Sequence, residues 1–154
     1  MTGLVIDASV VIKRLIREDH SDRAHALFAD TLLAGLTLFA PPLLPSEVTN
    51  VLFQRTRRQQ NTISPGEADG ALAMFLTLPI HLEVPPDLYP RALHFARASG
   101  QRATYDCVYV ALAEILGVEL WTADERLVRS ASTVAPWVRW IGDYPLDSST
   151  GGSR

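Results

Sequence analysis

The sequence is poor in cysteine, in lysine and in long uncharged runs, and each shortage removes a class of protein. One cysteine, Cys107, stands among 154 residues. No intramolecular disulfide can form, and with nothing else pointing to secretion a reducing cytoplasm is the natural compartment. The longest uncharged run, Thr31 to Ser46, is broken by Pro41, Pro42 and Pro45. It falls short of the roughly 20 apolar residues that a membrane span needs, so it reads as a buried strand and a loop, and no membrane contact is expected. The opening MTGLVIDAS has no basic leader and carries Asp7 inside its apolar run, which argues against a signal peptide. A formal charge of −3 is not that of a protein that binds nucleic acid over a broad basic surface, so any such binding rests on local clusters. Of 14 basic residues only Lys13 is lysine. That bias suits forked arginine contacts to phosphate, and it equally suits a bias of genome composition.

What is present fits one folded domain over residues 1–146, with 47% hydrophobic and 20% charged residues. The tail 147–154, DSSTGGSR, is small and polar and reads as disordered. Leu4 to Ile6 is a short apolar strand ending at Asp7, and a helical stretch follows it. Ala24, Leu27, Phe28 and Leu32 recur at helical spacing from Ser21, and Leu36 to Ala40 reads as a second strand. Ser46 stands where a cap should be for a helix carrying Val48, Val51 and Leu52, which puts Glu47 in its first turn. Ser64, Pro65 and Glu67 form a capping-box start for another helix. Ile80 to Val84 is a third strand, Asp87 is placed to cap a helix through Ala98, and Gly100 suits its left-handed end. Thr104 is placed to cap a helix ending at Gly117, which feeds a strand over Val118 to Trp121. Asp124 then opens a short helix, and Val138 to Ile141 is a final strand. Strands alternating with helices predict a three-layer α/β/α domain whose central sheet of four to five strands is mostly parallel.

In such a sheet, ligands collect beyond the carboxyl ends of the strands, where the strand order reverses. Asp7 ends the first strand and Asp124 follows a later one, while Glu47 and Asp106 begin helices that follow a strand or loop. The spacing therefore predicts that four carboxylates converge on one rim. Helix dipoles and free amides explain acids at helix starts without any chemistry, and this covers Glu47, Asp106 and Asp124 singly. Asp7 resists that explanation, because a carboxylate beside Leu4, Val5 and Ile6 would cost several kcal/mol to bury unpaired. Two unit charges at about 4 Å repel by roughly 4 kcal/mol at an effective dielectric near 20, so four acids in one cleft need a counter-ion. An all-oxygen donor set without a histidine or cysteine cluster points to magnesium or manganese, and so to phosphoryl chemistry. His20, His25, His81 and His94 share no metal-ligand spacing, and Cys107 and the three tryptophans read as packing residues.

The segments VIDASVVIK, PSEVTNVL, TYDCVYVALAE and LWTADERLV resemble the four acidic motifs of PIN-domain nucleases, in order and spacing, from Leu4 to Arg129. Within that family the chain is similar to VapC toxins of bacterial type II toxin–antitoxin pairs. The resemblance implies a metal-dependent ribonuclease with Asp7, Glu47, Asp106 and Asp124 at the metal, Asp7 and Asp106 as direct magnesium ligands, and the other two acting through water. It places Ser9 and Thr122 as supporting hydroxyls, although a turn residue and a strand-end cap are equally good descriptions of them. It implies hydrolysis leaving 5′-phosphate and 3′-hydroxyl ends, an RNA substrate, a VapB-like antitoxin and a homodimer. Lys13, Arg14, Arg17, Arg102 and Arg126 are then candidates to hold phosphates. Two other readings compete. A phosphoaspartate receiver or haloacid-dehalogenase-like phosphatase lacks its second aspartate, Ser9 standing in that place, and lacks a late lysine. A non-catalytic RNA-binding domain is disfavoured because all four acids are present.

Overall fold

The computed structural model describes residues 2–57, 59–60, 62–101 and 104–147. They form five strands: β1 (Gly3–Ile6), β2 (Thr37–Ala40), β3 (Ile80–Leu82), β4 (Leu120–Thr122) and β5 (Val138–Trp140). The α-helices are α1 (Ala8–Leu15), α2 (Ser21–Leu33), α3 (Leu44–Thr56), α4 (Pro65–Phe75), α5 (Leu88–Ser99), α6 (Tyr105–Leu116) and α7 (Glu125–Ala131). Every strand pair is parallel and the order is β3-β2-β1-β4-β5. The sheet grows in one direction from β1 to β3 and in the other from β4 to β5. With right-handed crossovers, α1 to α4 cover one face and α5 to α7 the other. This agrees with the packing of α1 on α2, α3 and α4, and of α5 on α6. The expected three-layer architecture is the one observed.

Local chemistry sets most element ends. Ser64 and Glu67 form the reciprocal capping box, and Gly100 and Gly117 close α5 and α6 with φ of 66° and 68°, a region only glycine enters without strain. Gly3 is required by close approach, since a Cβ there would stand 2.1 Å from the Thr37 carbonyl oxygen of the neighbouring strand. The start of α3 differs from expectation. Ser46 is not its cap: the helix begins at Leu44, after a turn in which the Leu44 N–H donates to the Pro41 carbonyl, and Pro45 sits where no intrahelical donor is needed. Glu47 remains in the first turn, as expected. Thr104 and Asp87 occupy their cap positions, but neither side chain accepts a capping bond. The tail expected at 147–154 lies outside the described residues apart from Asp147.

Val5, Ile6, Leu38, Phe39 and Leu120 of the three middle strands are fully buried, together with Val10 and Val11 of α1 and Ala111 to Ala113 of α6. The two most thoroughly buried helices are thus α1 and α6, which lie on opposite faces of β1. Their amino ends, carrying Asp7 and Asp106, are held by the best-packed part of the molecule.

Candidate active site

Strands β1 and β4 are neighbours at the point where the strand order reverses, with Ile6 and Trp121 in register. Asp7 therefore leaves β1 beside Thr122, which ends β4. Asp7 is 7% exposed and caps α1, its Oδ1 accepting from the Val10 N–H at 3.2 Å. Ser9 Oγ donates to the same oxygen at 2.5 Å, and Thr122 Oγ1 donates to Oδ2. Each hydroxyl in turn accepts a backbone N–H from the β4–α7 turn, Ser9 from Ala123 at 2.8 Å and Thr122 from Asp124 at 3.0 Å. The two hydroxyls thus clamp Asp7 and tie the Asp124 turn to it. Three bonds occupy three of a carboxylate's roughly four acceptor positions and leave one on Oδ2.

Asp124 caps α7, its Oδ1 accepting from Arg126 and Leu127 N–H at 2.9 and 3.3 Å. Glu47 accepts from the Tyr109 hydroxyl at 2.5 Å. Asp106, half-buried, accepts no side-chain hydrogen bond among the described residues. All four acids line one cleft of about 380 Å³. Capping accounts for Asp7 and Asp124 but not for Glu47 and Asp106, which among the described residues spend no oxygen on a helix end.

The electrostatics record the crowding. Burial pushes Asp7 up to about 6, against the lowering bonds from Ser9, Thr122 and Val10, and the Asp106 charge adds to the rise. Burial raises Glu47, with Asp7 and Asp106 contributing in the same direction against the Tyr109 bond. Asp106 is raised by burial and then by Asp124. Burial also raises the Tyr109 hydroxyl, and Glu47 reinforces it, so Tyr109 stays a hydrogen-bond donor. Four helix amino ends meet here, and their dipoles relieve only part of this repulsion.

These residues fit a hard divalent cation. The donors are all carboxylate oxygens, Asp7 keeps one acceptor position, and Asp106 has no partner among the described residues. As the side chains stand, no group of three or more His, Cys, Asp or Glu among the described residues is placed to hold a metal ion. Magnesium commonly takes only one or two carboxylates and completes its shell with water and phosphate, which matches an open arrangement of this kind.

Of the basic candidates, Lys13 lines the cleft. Arg14 lies against Met74 Sδ at 3.8 Å and over the Phe28 ring, Arg17 pairs with Asp22 at 2.8 Å, and Arg126 is exposed on α7; none of the three lines the cleft. Arg102 lies outside the described residues. None of the four histidines lines the cleft, and Ser9 stands where a phosphatase would need its second aspartate. Three polar residues of the cleft were not among the candidates read from sequence: Tyr109, Glu18 and Arg55. Tyr109 follows Asp106 by three positions and Arg55 follows Glu47 by eight, both on the acid's own helix face, and that periodicity was the available signal. Glu18 sits in a loop and left none.

Residues 4–132 match the PIN domain family. The chain is 34% identical over 127 residues to Ribonuclease VapC3 of Mycobacterium tuberculosis, covering 82% of this chain and 86% of that protein. It is 35% identical over 130 residues to Ribonuclease VapC12 of the same organism, covering 82% and 91%. In fold it is similar to Mycobacterium tuberculosis VapC20, described as a sarcin–ricin loop cleaving toxin, with a TM-score of 0.64, 17% identity, and 89% and 99% of the two chains covered.

Proposed function

The chain belongs to the PIN-domain family, and from that membership we propose that it is a VapC-like toxin, an endoribonuclease hydrolysing RNA phosphodiester bonds at the acid cleft. The observation that carries the reading is the convergence of Asp7, Glu47, Asp106 and Asp124, from four separate segments, at the topological switch point. Asp7 and Asp106 are assigned as direct ligands of magnesium or manganese, with Glu47 and Asp124 acting through water. Bound there, a divalent ion supplies charge to the phosphate and acidifies a water for in-line attack on phosphorus.

The protein's own groups do the remaining work. Ser9 and Thr122 hold the Asp7 carboxylate in one orientation, so its remaining lone pair is aimed before any ligand arrives. Tyr109 keeps Glu47 hydrogen-bonded on one oxygen and leaves the other for a water or proton at the reacting centre. Asp124, fixed as a helix cap, is tied to the same turn as Thr122. Products carry 5′-phosphate and 3′-hydroxyl ends.

A VapB-like antitoxin, a homodimer and a cytoplasmic setting belong to the same reading. Phe53 on α3, 57% exposed, gives a partner an apolar hold, and Cys107 is a buried free thiol. No helix among the described residues is long and apolar enough to cross a membrane. The receiver and phosphatase alternatives lose ground, since the lone lysine, Lys13, is engaged by Glu18 and the Ser9 hydroxyl is spent on Asp7.

The test is cleavage of total bacterial RNA by the purified protein with magnesium or manganese, against chelator and Asp106→Asn controls, with fragment ends mapped. Discrete metal-dependent cuts lost in the variant are expected. A folded, metal-binding protein that leaves every RNA intact refutes the nuclease assignment.

A further inference from the structure

Beside the four acids the cleft holds a second cluster of opposite character. Lys13 and Arg55 are the only cations lining it among the described residues, and both are gripped by Glu18. One Glu18 oxygen accepts from Lys13 Nζ at 3.2 Å and the other from Arg55 Nη1 at 2.8 Å. The three side chains are 13%, 21% and 26% exposed for Lys13, Glu18 and Arg55. Glu18 is itself anchored, because its N–H donates to Ser21 Oγ at 2.9 Å and that hydroxyl donates to the Ile16 carbonyl. The cations continue the helix stripes that carry the site: Ser9 and Lys13 are four apart on α1, and Glu47, Val51 and Arg55 are spaced by four on α3.

One cation is enough to neutralise Glu18. The second leaves a local charge of +1 in a partly dehydrated position beside acids that repel any anion unless a cation intervenes. The extra charge offsets part of the mutual repulsion of the four acids, and among the described residues it is the position at the cleft that attracts an anion. Resting on the ribonuclease reading above, we propose that Lys13 and Arg55 form a seat for a backbone phosphate of the RNA strand, flanking the one that is cleaved, and that Glu18 is the positioning residue that holds both cations at the cleft. The ammonium supplies a point charge and the guanidinium a forked donor. The seat recognises backbone and carries no base specificity.

The test is anisotropy of a fluorescein-labelled, unstructured single-stranded RNA, titrated with the metal-free protein in chelator across a salt series. Lys13→Gln and Arg55→Gln are each expected to weaken binding roughly 5-fold and to reduce the salt slope by about 0.7, the value for one phosphate contact on a single strand. Arg139→Gln, which removes an equal charge from an exposed pair with Glu119, changes neither. Glu18→Gln strengthens binding severalfold by removing a negative charge, yet lowers kcat about 10-fold because the cations lose their anchor; misfolding would weaken both. Circular dichroism melting confirms the fold, and Arg55→Lys, which retains the charge, keeps the salt slope. Unchanged affinity and slope in folded Lys13→Gln and Arg55→Gln, or no binding by the parent protein at low salt, overturns the seat. If those variants lose binding while the parent protein cuts no RNA, the seat stands and the nuclease reading falls. If they bind unchanged while the parent protein cuts, the reverse holds.

Discussion

Helix α6 carries an acid near each end, and the two are treated in opposite ways. Glu114, in the last turn, is disfavoured by the helix dipole, yet it receives Nη2 and Nε of Arg91 from α5, the former at 2.6 Å, and this pairing holds its carboxyl below the ordinary range. Asp106, in the first turn, is favoured by the dipole, yet burial and Asp124 push its carboxyl up. The Glu114 end of the helix is tied to the scaffold, while Asp106 has no side-chain partner among the described residues and, on the proposed reading, is kept for a ligand. That is the expected trade of stability for function at a site.

The comparison breaks most visibly if Asp106 can be spared. Asp106→Asn is expected to cut RNA cleavage by at least about 100-fold, since losing even a residue that supports a metal ligand typically costs 10- to 100-fold. The fold should stay intact by circular dichroism, and cleavage within a few fold of the parent protein would remove Asp106 from the site.

The same contrast predicts that neutralising an acid stabilises the metal-free protein. The Asp7 carboxyl stands at about 6 against 3.8 in the unfolded chain, so its charged form is disfavoured by folding. Its share of stability is complete below pH 3.8 and is lost as pH rises through about 6. In chelator, Asp7→Asn should therefore be more stable than the parent protein at neutral pH, by at most about 3 kcal/mol, and the two should converge near pH 4. Urea unfolding at several pH values measures the gap, and a variant less stable at pH 7 would show that the Ser9 and Thr122 bonds outweigh the desolvation. Magnesium at about 100 times its Kd should return roughly 2.7 kcal/mol to the parent protein, and less to the variant.

Tyr109→Phe sharpens the comparison within the site. It leaves the buried ring in place and removes the donor to Glu47, so cleavage should fall about 10-fold with little change in melting temperature, the loss matching one charge-assisted hydrogen bond. The smallest effect belongs to the scaffold end. Glu114→Gln should lower the melting temperature by no more than about 4 °C and leave cleavage unchanged, because a partly exposed pair contributes little.

Element order, the parallel sheet and the rim that gathers Asp7, Glu47, Asp106 and Asp124 are legible in the sequence because they depend on short-range regularities. An apolar run ending in an acid is a buried strand with its carboxylate at the rim. Ser64 and Glu67 satisfy free amides three positions apart, and Gly100 and Gly117 end helices for want of a Cβ. The start of α3 was missed because a turn at Pro41, rather than a side chain, initiates it. Other features depend on groups distant in the chain. Thr122 meets Asp7 across 115 positions, Tyr109 meets Glu47 across 62, and Arg55 meets Glu18 across 37. Strand register and helix packing create these meetings, and they also decide that Lys13 turns into the cleft while its neighbour Arg14 lies over Phe28. Sequence alone determined which acids stand at the carboxyl rim of the sheet. Tertiary structure alone decided which of them share a partner, because a hydrogen bond of about 3 Å between distant residues exists only once the sheet has brought their backbones together.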